Sequence, residues 1–468
     1  MRNRRFFSTC LGASLVLAGM IWPVDSIQAQ AFGKPKSFDF PNTFGVARTV
    51  SSNGPLSLSG PFFQSLGSNG RSCVSCHQPA QGWSITPEEV QKRFNSTDGL
   101  DPIFRTNDGS NSPNTNVSTT AARKLAFSML LTKGLIRVER PIPANADFEL
   151  FAVDDPYHYA SASGLSLFRR PLPSTNLRFI STVMWDGREV DPLTPMIIAN
   201  APEVNRGILM ASLSHQALDA TNGHAQAASD LTEGQRNAIV DFEMALATAQ
   251  VKDNEVGSLT ADGAKGGPEN IFSLPFYIGI NDNMADPNGP FNPESMSLYE
   301  AWKASSHDDR KSIARGQALF NTFPITISGV KGINDNPYFD SPTSFVGSCT
   351  TCHDTPNSGN HSLAVALDIG LTDASRRTPD MPLYTMKNKL TGALLQTTDP
   401  GLALSTGKWK DIGRFKGPVL RGLAARAPYF HNGSAKDLDA VLNFYQDRFG
   451  LTLSRQQRKD LKAFLVTL

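Results

Sequence analysis

Four cysteines stand in two copies of one short pattern. Residues 73–77 read Cys-Val-Ser-Cys-His, and residues 349–353 read Cys-Thr-Thr-Cys-His. Each copy separates two thiols by two residues and puts an imidazole directly after the second thiol. The fifth cysteine, Cys10, lies in an apolar N-terminal stretch typical of an export signal. The two copies would therefore use all the cysteines of the mature chain.

Three common uses of cysteine fit this pattern poorly. Disulfides of exported proteins do not require a histidine beside the cysteine. Zinc ribbons keep their two CxxC pairs about 15–20 residues apart, whereas these two copies are far apart in the sequence. A redox-active dithiol uses one CxxC pair in a βαβ context, and neither copy has that context.

C-x-x-C-H is the attachment signature of haem c. Two thioethers hold the edge of the porphyrin, and the adjacent histidine is brought under the ring to ligate iron. The sequence therefore predicts two covalently bound haem c groups. The predicted attachment residues and iron ligands are Cys73, Cys76 and His77 for the first haem, and Cys349, Cys352 and His353 for the second.

The N-terminus predicts export to the periplasm. Residues 1–31 combine a basic start, an apolar run and the small-residue sequence Ala-Gln-Ala at 29–31, which together predict a cleaved signal peptide. That run is too short for a comfortable membrane span, and we expect no span elsewhere. The net charge of +1 gives no support for a nucleic-acid partner.

The length and the two motifs predict two domains. A chain of 468 residues exceeds one hydrophobic core. We predict a first domain over 32–250, with an insertion at about 100–170, and a second domain over 304–468. A Gly/Pro/Asn-rich connection joins them over 251–303. Strand-like alternation is scarce, so we expect a mainly α fold of two tandem cytochrome c-like domains, each with one haem.

Several segments resemble one family when they are taken in order. They are "GRSCVSCHQP", "NLRFISTVMWDGR", "RGQALFNT", "GSCTTCH", "FKGPVLRGLAARAPYFHNGSAKDLDAVLNFY" and "LKAFLVTL". This set resembles the bacterial di-haem cytochrome c peroxidase superfamily, which includes MauG-type enzymes. The resemblance implies that the first haem reacts with hydrogen peroxide and that the second receives electrons from a small cytochrome c or a cupredoxin. It also implies that a homodimer is one arrangement to test.

The resemblance assigns roles to two aromatic residues. Trp185 matches the tryptophan that relays electrons between the haems, and His431 matches a histidine near the edge of the second haem. Tyr445 stands where ordinary peroxidases of the family carry the second haem's far-side methionine, as in MauG-type members. Met381 or Met386 could supply a sulfur ligand instead.

The first haem departs from the family plan in two ways. No histidine occurs between His77 and His158, so we expect the far side of this haem to be open without prior reduction. The family's catalytic glutamate follows a glutamine by ten residues, and here Gln216 matches that glutamine while Gln226 replaces the acid. An amide is a poor proton shuttle. The candidate substitutes are His224, which titrates near neutral pH, and then Glu203.

The family's calcium site is poorly matched. Pro171 or Leu172 and Arg426 stand where its ligands are expected, so the resemblance allows calcium but these residues do not support it.

Three functions follow from these observations. The leading hypothesis is a periplasmic di-haem peroxidase that reduces hydrogen peroxide. The second is a MauG-like oxidase or oxygenase that acts on a protein or an organic substrate, favoured by Tyr445, the missing glutamate and the insertion. The third is a non-catalytic di-haem electron carrier.

Overall fold

The computed structural model describes residues 37–189, 202–282, 290–337 and 340–468, without the side chains of residues 202–204. The predicted signal peptide lies outside these residues. Residues Pro35–Leu468 cluster into one unit. The division into two cytochrome c-like domains stays a prediction.

Helices form where the sequence supplies caps and an apolar face. Thr232 and Gln235 form a capping box at the start of one helix, and Ser454 and Gln457 form another. The α-helices within the described residues are α1 (Pro87–Thr97), α2 (Thr120–Ala126), α3 (Ser128–Lys133), α4 (Pro202–Gly223), α5 (Glu233–Ala245), α6 (Glu269–Ser273), α7 (Asp308–Thr322), α8 (Ala403–Thr406), α9 (Leu438–Phe449) and α10 (Arg455–Leu465). Four segments of the sequence combine helix caps with an apolar face and so predict helices: "DLTEGQRNAIVDFEMALATAQ", "SSHDDRKSIARGQALF", "DLDAVLNFYQDRF" and "TLSRQQRKDLKAFLVTL". Helices α5, α7, α9 and α10 confirm them.

The strands are short, and most pair with distant parts of the chain. They are β1 (Ser37–Asn42), β2 (Gly45–Ser51), β3 (Ile136–Arg140), β4 (Phe148–Asp154), β5 (Leu165–Arg169), β6 (Leu246–Asp253), β7 (Gly257–Ser258), β8 (Ile325–Ser328), β9 (Ser344–Gly347), β10 (Ala366–Leu367), β11 (Leu383–Asn388), β12 (Leu394–Thr397) and β13 (Phe415–Lys416). They form a four-stranded sheet β1-β2-β6-β7, a three-stranded sheet β12-β11-β4, and the pairs β3-β5, β8-β9 and β10-β13.

The expectation of a mainly α fold is wrong. The structure is 33% helical and 18% strand, which makes it a mixed α/β fold. The segment ending in "FEMALATAQ" shows why the local pattern misled. Helix α5 ends at Ala245 and β6 begins at once at Leu246, where it pairs antiparallel with β2. That partner is about two hundred residues away in sequence, so its influence is invisible in a local window.

The predicted halves of the chain share hydrogen-bonded structure. Strand β4, from the predicted insertion, pairs antiparallel with β11 from the predicted second domain. The backbone N–H of Gln250 also donates to the carbonyl of Leu468 at 3.2 Å. No helix in the described ranges combines the length and apolar character that crossing a bilayer would need.

Helices α7 and α10 cross at a glycine. Ser312 and Arg315 of α7 both bind the Asp460 carboxylate, with distances of 2.6 Å and 2.7 Å. A Cβ atom at Gly316 would lie 1.9 Å from the Asp460 carbonyl oxygen and 2.8 Å from Cβ of Phe464. The crossing therefore requires a residue without a side chain.

Gly316→Ala should lower the free energy of unfolding by about 1–3 kcal/mol, because an overpacked contact forces the helices apart. Gly234→Ala is the matched control, since Gly234 lies in α5 and a Cβ there has no neighbour within 4 Å. That control should raise the stability by about 0.5–1 kcal/mol. Denaturant titration of the purified protein measures the free energy of unfolding of both variants. Equal effects of the two substitutions would contradict the tight crossing.

Candidate functional site

The first cysteine motif forms a tight turn that fixes both thiols. One 3-10 turn covers Cys73–Ser75. The backbone N–H of Ser72 donates to the Ser75 hydroxyl at 3.1 Å, and the backbone N–H of Ser75 donates to the Ser72 carbonyl at 3.0 Å. The backbone N–H of His77 donates to the Cys73 carbonyl at 3.0 Å. Cys73 and Cys76 are free thiols, so both sulfurs are available for thioether bonds.

The second motif repeats this local structure. Its 3-10 turn covers Cys349–Thr351. The backbone N–H of Ser348 donates to the Thr351 hydroxyl at 2.9 Å, and the backbone N–H of Thr351 donates to the Ser348 carbonyl at 3.1 Å. The backbone N–H of His353 donates to the Cys349 carbonyl, again at 3.0 Å. The β8–β9 hairpin ends at Gly347 and leads directly into this turn. Two distant segments therefore adopt one geometry.

A backbone carbonyl six residues further on orients each imidazole. Nδ1 of His77 lies 3.1 Å from the Trp83 carbonyl oxygen, and Nδ1 of His353 lies 2.7 Å from that of Gly359. When Nδ1 donates, the lone pair of Nε2 is left for a metal. Burial lowers the pKa of His77 to about 4 and the pKa of His353 below its usual range. Both rings are therefore neutral at pH 7, as metal ligation requires.

An apolar cavity surrounds the second motif. Cys349, Cys352 and His353 line it, together with Phe320 and Tyr445. The cysteines and the histidine keep some accessible surface, although they lie deep in the protein, because that surface faces the cavity. The donors of the motif thus point into an internal space with apolar walls.

Two buried arginines and a half-buried lysine line this cavity, and none of them pairs with a carboxylate among the described residues. They are Arg170, Arg426 and Lys416. Burial lowers the pKa of Arg170 to about 9, that of Lys416 to about 8 and that of Arg426 to about 10. Uncompensated buried charge is costly. The carboxylates of a haem would balance it, so the residues present fit that group.

The calcium positions implied by the family resemblance have the wrong charge for a cation. Pro171, Leu172 and Arg426 all line the same cavity. The guanidinium of Arg426 would repel a divalent ion placed beside it.

Trp185 and His431 form the aromatic contact at the edge of the cavity. Their ring centroids are 6.1 Å apart with the rings near perpendicular, and His431 stacks on Phe415 at 4.0 Å. Nε1 of Trp185 donates to the Arg170 carbonyl at 2.8 Å, and the Lys416 N–H donates to the Trp185 carbonyl at 2.9 Å. Trp185 is thus fixed by residues on both sides.

His431 is a neutral histidine with unused hydrogen-bonding capacity. It is 1% exposed, and neither ring nitrogen has a hydrogen-bond partner among the described residues. Burial lowers its pKa to about 4. Because it lines the cavity, a group bound there is the natural partner for one of its nitrogens.

Tyr445 is the candidate far-side ligand that the structure brings to the second motif. It projects from α9 into the cavity that Cys349 and Cys352 line, and burial raises the pKa of its phenol above the usual range. Met381 and Met386 are packed in two other apolar clusters and do not line this cavity. Ligation by Tyr445 stays a prediction.

A second, polar cleft contains the matched glutamine and the first acid/base candidate. Gln216 and His224 both line it. Gln226 is exposed and accepts a hydrogen bond from Asn69 at 3.2 Å. Glu203 falls in the first turn of α4, where side chains are not described. His158 is exposed and lines neither the cavity nor the cleft.

The predicted insertion supplies one wall of this cleft. Asp108, Arg137, Glu139 and Arg140 all come from it. Asp108 is a residue that the sequence analysis missed, because its partner His224 is 116 residues away. No local signal joins two positions at that separation.

Glu243 is a second missed residue. It is 6% exposed, and its Oε2 has no hydrogen-bond partner among the described residues. Burial raises its pKa to about 8. After burial itself, Glu243 is the next cause of the raised pKa of the Cys73 thiol, so this carboxyl lies close to the first motif. An acid within the apolar stripe of Ile239 and Val240 was the available signal.

A buried ion triad stands beside the second motif. Nδ1 of His361 lies 2.8 Å from Asp354, and Nε2 lies 3.4 Å from Asp282. Burial alone would lower the pKa of His361, but the two carboxylates outweigh it and raise that pKa to about 9. The protonated ring satisfies both acids, which ties Asp282 to the residue after His353.

The comparisons with known proteins bear on this arrangement. No protein-family model matches the chain. The cytochrome-c peroxidase IdrP1 of Pseudomonas sp. (strain SCT) is 31% identical over 141 residues, which covers 26% of this chain and 36% of the relative. IdrP2 of that strain is 29% identical over 130 residues, covering 26% and 35%. IdrP1 of Denitromonas iodatirespirans is 30% identical over 140 residues, covering 26% and 36%.

These relatives confirm the predicted resemblance to cytochrome c peroxidases. The chain spans about a third of the length of the curated relatives it matches. Among solved structures, a MauG-like protein associated with microbial copper homeostasis is similar at 16% identity and a TM-score of 0.37, over 94% of this chain and 95% of that one. The hydrazine synthase of Kuenenia stuttgartiensis follows at 14% identity and a TM-score of 0.31, over 82% and 93%.

Glu243→Gln tests the buried carboxyl. Glu243 keeps its proton in the folded protein up to about pH 8, whereas the unfolded chain loses it above about pH 4.5. Unfolding between these pH values therefore releases a proton, and the free energy of unfolding of the wild type falls as pH rises. The variant loses that dependence. The difference in free energy of unfolding between the variant and the wild type should shift in favour of the variant by about 2–4 kcal/mol between pH 5 and pH 8. Denaturant titrations at both pH values measure it, and parallel pH profiles would contradict a neutral Glu243.

Proposed function

We propose that this chain is a periplasmic di-haem c-type peroxidase, which reduces hydrogen peroxide to water with electrons from a small cytochrome c or a cupredoxin. The observation that carries the proposal is the repeated geometry of the two C-x-x-C-H motifs, each with a neutral, oriented histidine. The resemblance to proteins named cytochrome-c peroxidases supports the same function. The signal-like residues 1–31 support the periplasm.

Different residues of the chain have different roles in this function. When bound, a haem supplies iron that exchanges single electrons and binds peroxide. His77 and His353 would hold the two irons, because the hydrogen bond of each Nδ1 to a backbone carbonyl leaves Nε2 available. Trp185 and His431 provide an aromatic path at the cavity edge, with a centroid separation of 6.1 Å. The cations Arg170, Lys416 and Arg426 balance the propionates.

The haem count provides the primary test. The purified periplasmic product should carry two haems by pyridine haemochrome and by intact mass. Replacing Cys73 and Cys76 by Ala should leave one haem and abolish the optical response to peroxide. Replacing Cys349 and Cys352 should also leave one haem, but should keep the peroxide response while removing turnover with reduced cytochrome c.

The two double variants are matched controls for each other, since each removes the same chemistry from one half. A product with the mass of the bare polypeptide would end the proposal. Two haems that ignore peroxide would make the chain an electron carrier instead.

One observation favours a MauG-like oxidase as a second candidate. Tyr445 lines the apolar cavity around the second motif. A phenol oxygen favours ferric iron, whereas a thioether ligand raises the reduction potential of the haem. Such a protein would form a long-lived oxidised state with peroxide and would oxidise a protein or an organic substrate. Steady peroxide-dependent oxidation of cytochrome c favours the peroxidase over this alternative.

Tyr445→Phe separates the ligand candidates. If the phenol oxygen ligates iron, its loss should change the ferric spectrum of the second haem and raise its reduction potential. Tyr429→Phe is the control, because Tyr429 lines the same cavity while its hydroxyl donates to the Leu423 carbonyl at 3.0 Å. An unchanged spectrum in Tyr445→Phe, with a change in Met381→Leu or Met386→Leu, would move the ligand to sulfur.

A further inference from the structure

His224 lies at a junction that leads straight into the first motif. It follows the last residue of α4, and its carbonyl accepts hydrogen bonds from Asn69 at 2.8 Å and from Arg71 at 3.2 Å. The backbone N–H of Ser68 donates to the Gln226 carbonyl at 3.2 Å. Residues 68–71, which lie two to five positions before Cys73, therefore bind the end of α4.

The ring of His224 has one nitrogen fixed and the other available. Its Nδ1 is bonded to the Asp108 carboxylate. No hydrogen bond joins its Nε2 to any residue that the structure describes. The side chain is 37% exposed and faces the polar cleft.

Asp108 is held as a charged carboxylate. It is 5% exposed and forms a salt bridge to Arg71, whose guanidinium also donates to the carbonyls of Pro102 and Ile103. Burial alone would raise the pKa of Asp108, but Arg71 and His224 outweigh it and keep that pKa below its usual range. A fixed carboxylate selects the tautomer with the proton on Nδ1, which leaves the Nε2 lone pair free to take a proton.

We propose that Asp108 and His224 form a proton-transfer pair for the first haem, with His224 as the catalytic residue and Asp108 as its positioning residue. This inference rests on the proposed peroxidase function and deepens it. Nε2 of His224 would take a proton from one peroxide oxygen and return it to the other, so that the O–O bond breaks and the protonated oxygen leaves as water. The first water needs no other proton.

The overall reaction balances with the partners already named. One hydrogen peroxide takes up two electrons and two protons and gives two waters. Two molecules of a one-electron donor protein are oxidised, and the protons come from solvent. The pair moves one proton internally and is restored after each turnover.

Other charged groups face the same cleft. They are Arg137, Glu139, Arg140, Arg188, Glu189 and Asp219. The arginines are paired with Glu139 or Asp186, and Glu189 bonds to His215 at 2.7 Å. Asp108 is the carboxylate bonded to the His224 ring, so its removal should act on His224 more than any other change in the cleft.

Rapid mixing of the ferric holoprotein with peroxide tests the pair. His224→Gln should slow the peroxide reaction by about 10²–10⁴-fold, the usual contribution of a positioned acid/base. Asp108→Asn should slow it by about 10–100-fold. It should also move the rising limb of the pH–rate profile to lower pH, because an amide does not stabilise an imidazolium. Asp219→Asn is the control, since Asp219 is 58% exposed at the rim of the cleft and does not bond to His224.

Cyanide supplies a second readout that does not depend on turnover. It arrives as HCN and must lose a proton to bind ferric iron, so both variants should bind it more slowly than the Asp219→Asn control. Added imidazole should restore peroxide and cyanide reactions in His224→Gly. If Asp108→Asn slows the peroxide reaction but does not shift the rising limb of the pH–rate profile, Asp108 has only a structural role and the proposal is wrong.

Failure of the peroxidase function and failure of the proton-transfer pair give different results. If wild-type protein does not react with peroxide, the proposed function fails. If wild-type protein reacts and His224→Gln reacts equally fast, the function stands and the pair is wrong. His224 is partly exposed, so its variants test the pair even where Asp108→Asn does not fold.

Discussion

Unbalanced positive charge around an internal cavity constrains the rest of this structure. Arg170, Lys416 and Arg426 face one apolar space and have no carboxylate partner among the described residues. A protein cannot keep three such cations beside an apolar cavity without a large penalty unless an anion joins them. The cavity also receives two thiols, an oriented imidazole and a phenol. Charge, shape and donor chemistry therefore fit one occupant, the proposed haem, and we expect the stability of the polypeptide to depend on its attachment.

The position of these cations follows from how the chain interlocks. Arg170 directly follows β5, which ends at Arg169, whereas Lys416 and Arg426 come from the last sixty residues. Arg169 binds Asp186 and Asp399 at 2.6 Å and 2.7 Å, which fixes the segment that carries Trp185 to the C-terminal part of the chain. With the β4–β11 pairing, these buried contacts hold both sides of the cavity in register. A shift between them would separate the aromatic pair from the motif.

The sequence predicted what depends on short-range chemistry. Both C-x-x-C-H motifs, the resemblance to cytochrome c peroxidases and helices α5, α9 and α10 could be inferred from neighbouring residues. The strands could not, because β2 and β4 pair with partners about two hundred residues away. The same limit explains Asp108: His224 was a candidate on its own chemistry, but only the folded chain brings a carboxylate to its ring. The ligand roles of Tyr445 and His77 stay predictions: Tyr445 lines the cavity of the second motif, and Nδ1 of His77 bonds to a backbone carbonyl.

The reciprocal serine and threonine bonds around the two cysteine turns have a consequence for maturation. Ser72 with Ser75, and Ser348 with Thr351, close rings only three residues long, so the entropy lost in forming them is small. Each turn can take its shape on a nascent polypeptide, before any sheet has assembled. Covalent capture of the porphyrin would then precede tertiary folding, and the later collapse would close around a group that is already attached.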